Sequence, residues 1–301
     1  MKGNVIVGQS GGPTAAINSS LAGVYRTAKD RGANKVYGML FGIQGLLQER
    51  YIDLSEYITN DLDTELLKRT PAAFLGSCRY KLPEIHENKD VYEKIFSILE
   101  KLDIEAFIYI GGNDSMDTIK KLSDYAIVTG YRTRFIGCPK TIDNDLALTD
   151  HTPGYGSAAK YIGTSVKEII RDSFCLEYGK GLDSIVEIMG RNAGWRTGAA
   201  ALAKGEDCLG PDLIYLPELP FDIEAFSEKV KDLLAKKPSV VVAVSEGIRL
   251  ADGRYVCELG QSVDFVDAFG HKQLSGTANY LASYIAGEFG CKTRKIGRAH
   301  V

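Results

Sequence analysis

The chain reads as an α/β protein of two lobes, each a mostly parallel sheet flanked by helices, and three observations predict it. Short apolar, β-branched runs recur along the sequence. Several of them end in glycine or a small polar residue just before a helix-like stretch, and the most apolar, Val240-Val241-Val242-Ala243-Val244, is continuous rather than alternating. Strand signals that alternate with helix signals are the mark of βαβ units. A strand covered by helices on both faces has no polar face, so it reads as an unbroken apolar run.

The elements follow in order. Asn4 to Val7 is the first strand, and Gly8-Gln9-Ser10-Gly11-Gly12-Pro13-Thr14 carries it into a helix-like stretch from Ala15 to Ala28. Lys35 to Leu40 is the second strand; Phe107 to Ile110 is the third, followed by Gly111-Gly112 and a helix beginning near Met116. Phe135 to Gly137, Ser184 to Met189, Leu213 to Leu216 and Val240 to Val244 complete the strand series. Thr141 to Gly163 is rich in Asp, Thr, Gly and Pro, with little helical periodicity before Ser157, which suits a crossing between lobes. The expected division is therefore 1–140 and 141–295, the second lobe returning the chain toward the first. The charge-rich stretch Glu228 to Lys237 fits a helix with a solvated face.

Composition bounds the function. A chain of 301 residues, 25% charged and 45% hydrophobic, has ordinary globular composition, which excludes disorder and collagen-like repeats. A formal net charge of −3 argues against a general nucleic-acid binder or a surface that clings to anionic membranes, so any phosphate site must be local. No apolar run approaches the roughly 18 residues of a membrane helix. Met1-Lys2-Gly3 leads directly into the first strand without room for a signal peptide, so the expected compartment is the cytoplasm. Cys78, Cys138, Cys175, Cys208, Cys257 and Cys291 are scattered, with no metal-ligand spacing, and read as reduced thiols. One codon reading of Ile296-Gly297-Arg298-Ala299-His300-Val301 matches a sequencing adapter, so 296–301 is expected to be a non-native tail on a truncated chain.

Three loops concentrate the chemistry. The Gly11-Gly12 turn lets a ligand approach the backbone at a helix N-terminus, a natural anion site, although Ser10 or Thr14 could simply be capping the helix. Gly111-Gly112-Asn113-Asp114-Ser115-Met116-Asp117 repeats the design, and Asn113 and Asp114 are oxygen donors suited to Mg²⁺; capping by Asp114 or Ser115 is the plainer alternative. Pro139-Lys140-Thr141-Ile142-Asp143-Asn144-Asp145 gathers a cation, a hydroxyl and two carboxylates in seven residues. Phosphoryl transfer needs a cation on the donor, a metal bridge and a carboxylate to take the proton of the attacking hydroxyl, roles open to Lys140, Asp145 and Asp143 in that order. An Asx-rich surface turn is the alternative. Arg79, Arg191 and Arg294 sit beside small residues where a guanidinium could reach a phosphate, or are surface arginines. Glu246 ends the most apolar strand, where a carboxylate facing the crevice could accept sugar hydroxyls.

Taken together, Gly11-Gly12, Gly111-Gly112-Asn113-Asp114-Ser115, Pro139 to Asp145, Met189-Gly190-Arg191 and Ser245-Glu246-Gly247 resemble the phosphofructokinase family in order and spacing, from the first strand to about Arg294. The resemblance implies reversible phosphoryl transfer to the 1-hydroxyl of fructose 6-phosphate with Mg²⁺, in glycolysis and its reversal, by a homo-oligomer, dimer or tetramer. It implies that Asp143 is the general base and that Gly11, Gly12, Arg79 and Lys140 bind the donor. Thr141, Ile142, Asp143, Met189, Gly190, Arg191, Glu246 and Arg294 would contact the acceptor, and Asn113 and Asp145 the metal. Asn113 departs from the family, many members having Asp there.

Asp114 and Lys140 bear on the donor. ATP-using members usually have glycine at both positions. A carboxylate at Asp114 would crowd and repel a nucleotide's inner phosphate, while the ammonium of Lys140 could neutralise a compact pyrophosphate. The pair is similar to the pyrophosphate-dependent branch. An ATP-dependent 6-phosphofructokinase and a non-catalytic sugar-phosphate sensor are the competing readings; the presence of Asp143 argues against the second.

Overall fold

The computed structural model describes residues 3–14, 16–175, 181–260 and 276–296. The chain divides into two compact units, the first running through Thr141 and the second beginning at Ile142.

The first unit contains strands β1 (Asn4–Gln9), β2 (Val36–Met39), β3 (Tyr51–Asp53), β4 (Ile104–Gly111) and β5 (Arg134–Pro139). Its helices are α1 (Ile17–Asp30), α2 (Gly42–Leu46), α3 (Asp61–Arg69), α4 (Lys89–Lys101) and α5 (Asn113–Thr129). The sheet order is β3-β2-β1-β4-β5, parallel except where β3 runs antiparallel to β2. Side chains alternate across a strand, and β1 shows what that does. Val5 and Val7 pack with Leu21 and Tyr25 of α1, whereas Ile6 packs with Phe96 of α4 and Leu122 of α5. Both faces are covered, so all three residues are apolar.

The second unit contains α6 (Tyr155–Cys175), β6 (Leu182–Ile188), α7 (Trp195–Gly198), β7 (Leu213–Tyr215), α8 (Ile223–Leu234), β8 (Ser239–Ser245), α9 (Thr277–Phe289) and β9 (Lys292–Ile296). Its sheet is fully parallel in the order β7-β8-β6-β9. The same logic governs β8: Val240, Val242 and Val244 face Phe226 of α8 and Leu281 of α9, while Val241 and Ala243 face Ile162 and Val166 of α6.

Each expected strand is present, but several boundaries move for local reasons. Helix α5 starts at Asn113 rather than near Met116, with Gly112 as N-cap. Asp222 caps α8 by accepting from Glu224 N at 2.9 Å and Ala225 N at 3.0 Å, which starts that helix before Glu228. Strands β3 and β9 have no apolar run of their own to announce them. Ile296, expected to open the tail, pairs with Val186 and closes β9; 297–301 lie outside the described residues, as does Ala15. All six cysteines are free thiols. Among the described residues no helix is long and apolar enough to cross a membrane.

Candidate active site

In the first unit the strand order reverses between β1 and β4: β1 leads outward to β2, and β4 leads the other way to β5. Open α/β sheets bind ligands beyond the carboxyl ends of their strands at such a point. The loops after β1, β4 and β5, three neighbouring strands, carry the Gly11-Gly12 turn, the Gly111 to Asp114 segment and Lys140.

These loops are tied together. Ser10 N donates to Ile110 O at 2.9 Å, Lys140 N donates to Gly111 O at 2.9 Å, and the Ser10 and Ser115 hydroxyls share a short hydrogen bond. A Cβ on Gly111 would lie 2.7 Å from Ser10 Oγ, so glycine is demanded by the close approach. At Gly12 and Gly112 a Cβ would meet nothing within 4 Å. Packing does not require glycine there, and the space beside both turns is open to a ligand. Gly11 adopts φ +75°, a left-handed conformation that favours glycine.

The cationic side chain is at hand. Lys140 Nζ lies 3.4 Å from where a Gly11 Cβ would be, placing its ammonium over the turn. Capping does not account for the loop residues. Helix α1 has Ala16 as N-cap with no side-chain bond, α5 has no side-chain cap either, and the buried Thr14 hydroxyl has no hydrogen-bond partner among the described residues. Asp114 lies half-buried in the first turn of α5, where the helix dipole favours a negative charge, and Asn113 beside it is exposed.

Two buried amides that sequence reasoning missed position Arg79. Gln9 Oε1 accepts from Leu75 N at 2.9 Å, and Asn18 Oδ1 accepts from Phe74 N at 2.9 Å and from Gln9 Nε2 at 3.0 Å. Asn18 Nδ2 donates to Thr70 O and Ala72 O, both at 2.8 Å. The strap so held continues into Gly76-Ser77-Cys78-Arg79, where Ser77 Oγ donates to Gly11 O and Gly11 N donates to Cys78 O at 3.2 Å. Arg79 is exposed and next in the chain to the residue bonded to Gly11. A cavity of about 880 Å³ lined by Gly3, Asp103, Ile104 and Arg134 opens at the amino ends of the strands, the edge opposite these loops.

In the second unit the loops after β6 and β8, neighbouring strands, carry Met189-Gly190-Arg191 and Glu246-Gly247. Ser245 Oγ donates to Gly190 O, and Glu246 N donates to Ile188 O at 3.0 Å. Glu246 is buried, and its Oε1 accepts the Gly190 N–H at 3.4 Å. That oxygen gives the buried Gly190 N–H the acceptor it needs and ties Glu246 to the Met189–Arg191 turn.

The segment 142–145 has its own scaffold. Asn144 is buried in a left-handed conformation at φ 60°, accepting from Thr152 N at 2.8 Å and donating to Asp150 O at 3.2 Å. It closes the loop on itself, and Ile142 packs near Gly154. Asp143 Oδ1 accepts from Arg196 Nη1 at 3.0 Å; Arg196, on α7, is 1% exposed and also reaches Met189 Sδ at 2.9 Å. Nothing in Gly194-Trp195-Arg196 marked this arginine as part of a site. Asp145 is exposed.

Arg294 is not brought to this edge. It lies in β9 opposite Ser184, four residues before the end of β6, or about 13 Å at strand rise, and it pairs with Asp172 of α6. Strand register, which the Lys-Thr-Arg sequence does not encode, keeps it from the loops after β6 and β8.

Among the described residues no three His, Cys, Asp or Glu side chains form a ready-made metal cage. Mg²⁺ needs none where one or two carboxylates share it with substrate phosphates, and the oxygen donors Asp114, Asn113 and Asp145 are of the right chemical kind.

Comparison with known proteins agrees with an α/β fold of mostly parallel sheets flanked by helices. The chain is 43% identical over 290 residues to a pyrophosphate–fructose 6-phosphate 1-phosphotransferase of Xanthomonas campestris pv. campestris, covering 96% of this chain and 68% of that protein. It is 41% identical over 293 residues to the Halomonas elongata protein of the same name, with the same two coverages. Among solved structures, the pyrophosphate-dependent phosphofructokinase of Nitrosospira multiformis superposes with TM-score 0.80 at 34% identity, over 98% of this chain and 68% of that one. The phosphofructokinase profile matches residues 4–296, from the first residue of β1 to the last of β9, and the chain belongs to the phosphofructokinase family.

Proposed function

We propose that this protein catalyses reversible phosphoryl transfer from pyrophosphate to the 1-hydroxyl of fructose 6-phosphate, giving fructose 1,6-bisphosphate and phosphate. The observation that carries the donor assignment is the Lys140 ammonium over the Gly11 turn, with Asp114 in the facing first turn of α5. The names of the relatives support the same reaction.

The first unit is the donor lobe. Gly11, Gly12 and the start of α5 offer backbone N–H groups to the pyrophosphate, with Lys140 and Arg79 supplying positive charge. Asp114 repels the inner phosphate of a nucleotide. The second unit is the acceptor lobe, with Ile142, Met189, Gly190, Arg191 and Glu246 as sugar-phosphate contacts, and Thr141, the last residue of the first unit, is a further one.

In the forward direction Asp143 takes the proton of the 1-hydroxyl as that oxygen bonds to the transferred phosphorus. The bridging P–O bond breaks, and Lys140 neutralises the departing phosphate. Mg²⁺, for which Asp114, Asn113 and Asp145 are donors of the right chemical kind, would supply charge neutralisation to the pyrophosphate. Pyrophosphate and a sugar phosphate ester are close in transfer potential, which accounts for reversibility. A homo-oligomer in the cytoplasm completes the reading, in keeping with the family.

The test is phosphorylation of fructose 6-phosphate with Mg²⁺, comparing pyrophosphate and ATP at matched concentrations. Preference for pyrophosphate is expected. Preference for ATP would overturn the roles of Asp114 and Lys140, and no turnover with either donor would overturn the reaction.

A further inference from the structure

We propose that Arg196 is a positioning residue for phosphoryl transfer: its contact with Oδ1 fixes the Asp143 carboxylate in the orientation that takes the proton of the acceptor hydroxyl. The inference rests on the reading of Asp143 as general base.

Burying a guanidinium is costly, and replacing a buried ion pair by apolar side chains of similar volume is often neutral or stabilising for a fold. Arg196 is nevertheless 1% exposed, in a helix of four residues whose neighbours Ala199, Ala200 and Ala203 are apolar. Fold stability alone therefore gives no reason for a cation here. What the cation touches does: Nη1 donates to Asp143 Oδ1 at 3.0 Å and sits 2.9 Å from Met189 Sδ, so one planar group spans the candidate base and the first residue of the acceptor turn.

The arginine is itself held firmly. Tyr155 OH donates to Trp195 O at 3.0 Å, and Gly194 N donates to Glu218 Oε1 at 2.6 Å, fixing the backbone on either side of the start of α7. The backbone of the base is held by Asn144, which bonds both Asp150 and Thr152. Two separately braced segments thus meet at the Arg196–Asp143 pair. Proton transfer is sensitive to such geometry, since the accepting oxygen must lie within hydrogen-bond reach of the hydroxyl.

The side chain of Asp143 is 34% exposed, so removing Arg196 leaves a hydrated carboxylate rather than a stranded buried charge. Arg196→Met should therefore fold, and its thermal midpoint checks this. Its kcat should fall roughly 10- to 100-fold with KM for fructose 6-phosphate within about threefold of wild type. Asp143→Asn should abolish most turnover, and the double variant should be no slower than Asp143→Asn, because both changes remove one function. If Arg196→Met does not fold, Arg196→Lys is read instead. A lysine side chain is shorter, and its ammonium is not held in one orientation as a planar guanidinium is, so kcat should fall at least about fivefold at unchanged KM. Unchanged kcat in the folded variant, a rise in KM alone, or additive losses in the double variant would overturn the role of Arg196. Retained turnover in Asp143→Asn would instead overturn the base on which it rests.

Discussion

A Cβ on Gly247 would overlap the carbonyl oxygen of Arg191 and come within 2.6 Å of its carbonyl carbon. The loops after β6 and β8 are packed backbone to backbone, and the Met189–Arg191 turn owes its position to the absence of a side chain in its neighbour. Gly247→Ala must displace that turn. We expect a loss of about 1–3 kcal/mol of stability, as for other overpacked sites, and at least a tenfold rise in KM for fructose 6-phosphate, on the order of 1.4 kcal/mol of binding. Thermal melts and steady-state kinetics read the two effects, and wild-type KM would show that the turn is not an acceptor contact.

Lys140 and Asp114 are expected to set donor choice together. In Asp114→Gly with Lys140→Gly the ammonium over Gly11 and the carboxylate in the first turn of α5 are both removed. The ratio of kcat/KM for ATP to that for pyrophosphate should rise by roughly tenfold or more, because a repulsive element against the nucleotide has gone along with an attractive one for pyrophosphate. No rise would refute the steric account.

Asp183 makes stability depend on pH. It lies on β6, 0% exposed, with neither carboxyl oxygen hydrogen-bonded among the described residues. Burial, and secondarily the charge of Asp212, pushes its pKa up to about 7. The folded state therefore holds this proton more tightly than the unfolded chain, whose Asp titrates near 3.9. Its contribution is fully present below about pH 4 and is lost as pH rises to about 7, above which a charge must be buried. The full swing is about 4 kcal/mol at ~1.4 kcal/mol per pH unit. Asp183→Asn should raise the thermal midpoint at pH 8 and flatten its dependence between pH 4 and 7; an unchanged profile would place the proton elsewhere.

Glu187 caps α9 from a neighbouring strand. It is buried, with Oε2 accepting from Ala278 N at 2.8 Å and Oε1 from Gly276 N at 3.3 Å. Glu187→Ala leaves these donors without their acceptor, at a cost of about 1–3 kcal/mol. Hydrogen exchange should show faster exchange across Thr277–Phe289 than in β8; equal protection in the variant and the wild type would rule the cap out.

Much of this protein was legible in one dimension. The strands β1, β4, β6 and β8 announce themselves because a strand buried on both faces must be apolar at every position, and Val240 to Val244 satisfies helices on both sides. The glycine turns and the Lys140 to Asp145 cluster were likewise visible, since close backbone approach and phosphate chemistry restrict residue type locally. Strand register set Arg294 opposite Ser184, a position that the Lys-Thr-Arg sequence does not encode. Hydrogen-bond demand tied Glu246 to the Gly190 turn, and a distant buried cation, Arg196, became a partner of Asp143. Residue type follows from what a segment must bury or bind in its own neighbourhood. Which charge meets which, across tens of residues of chain, is settled only when packing brings the segments together and every buried polar group has to find a partner.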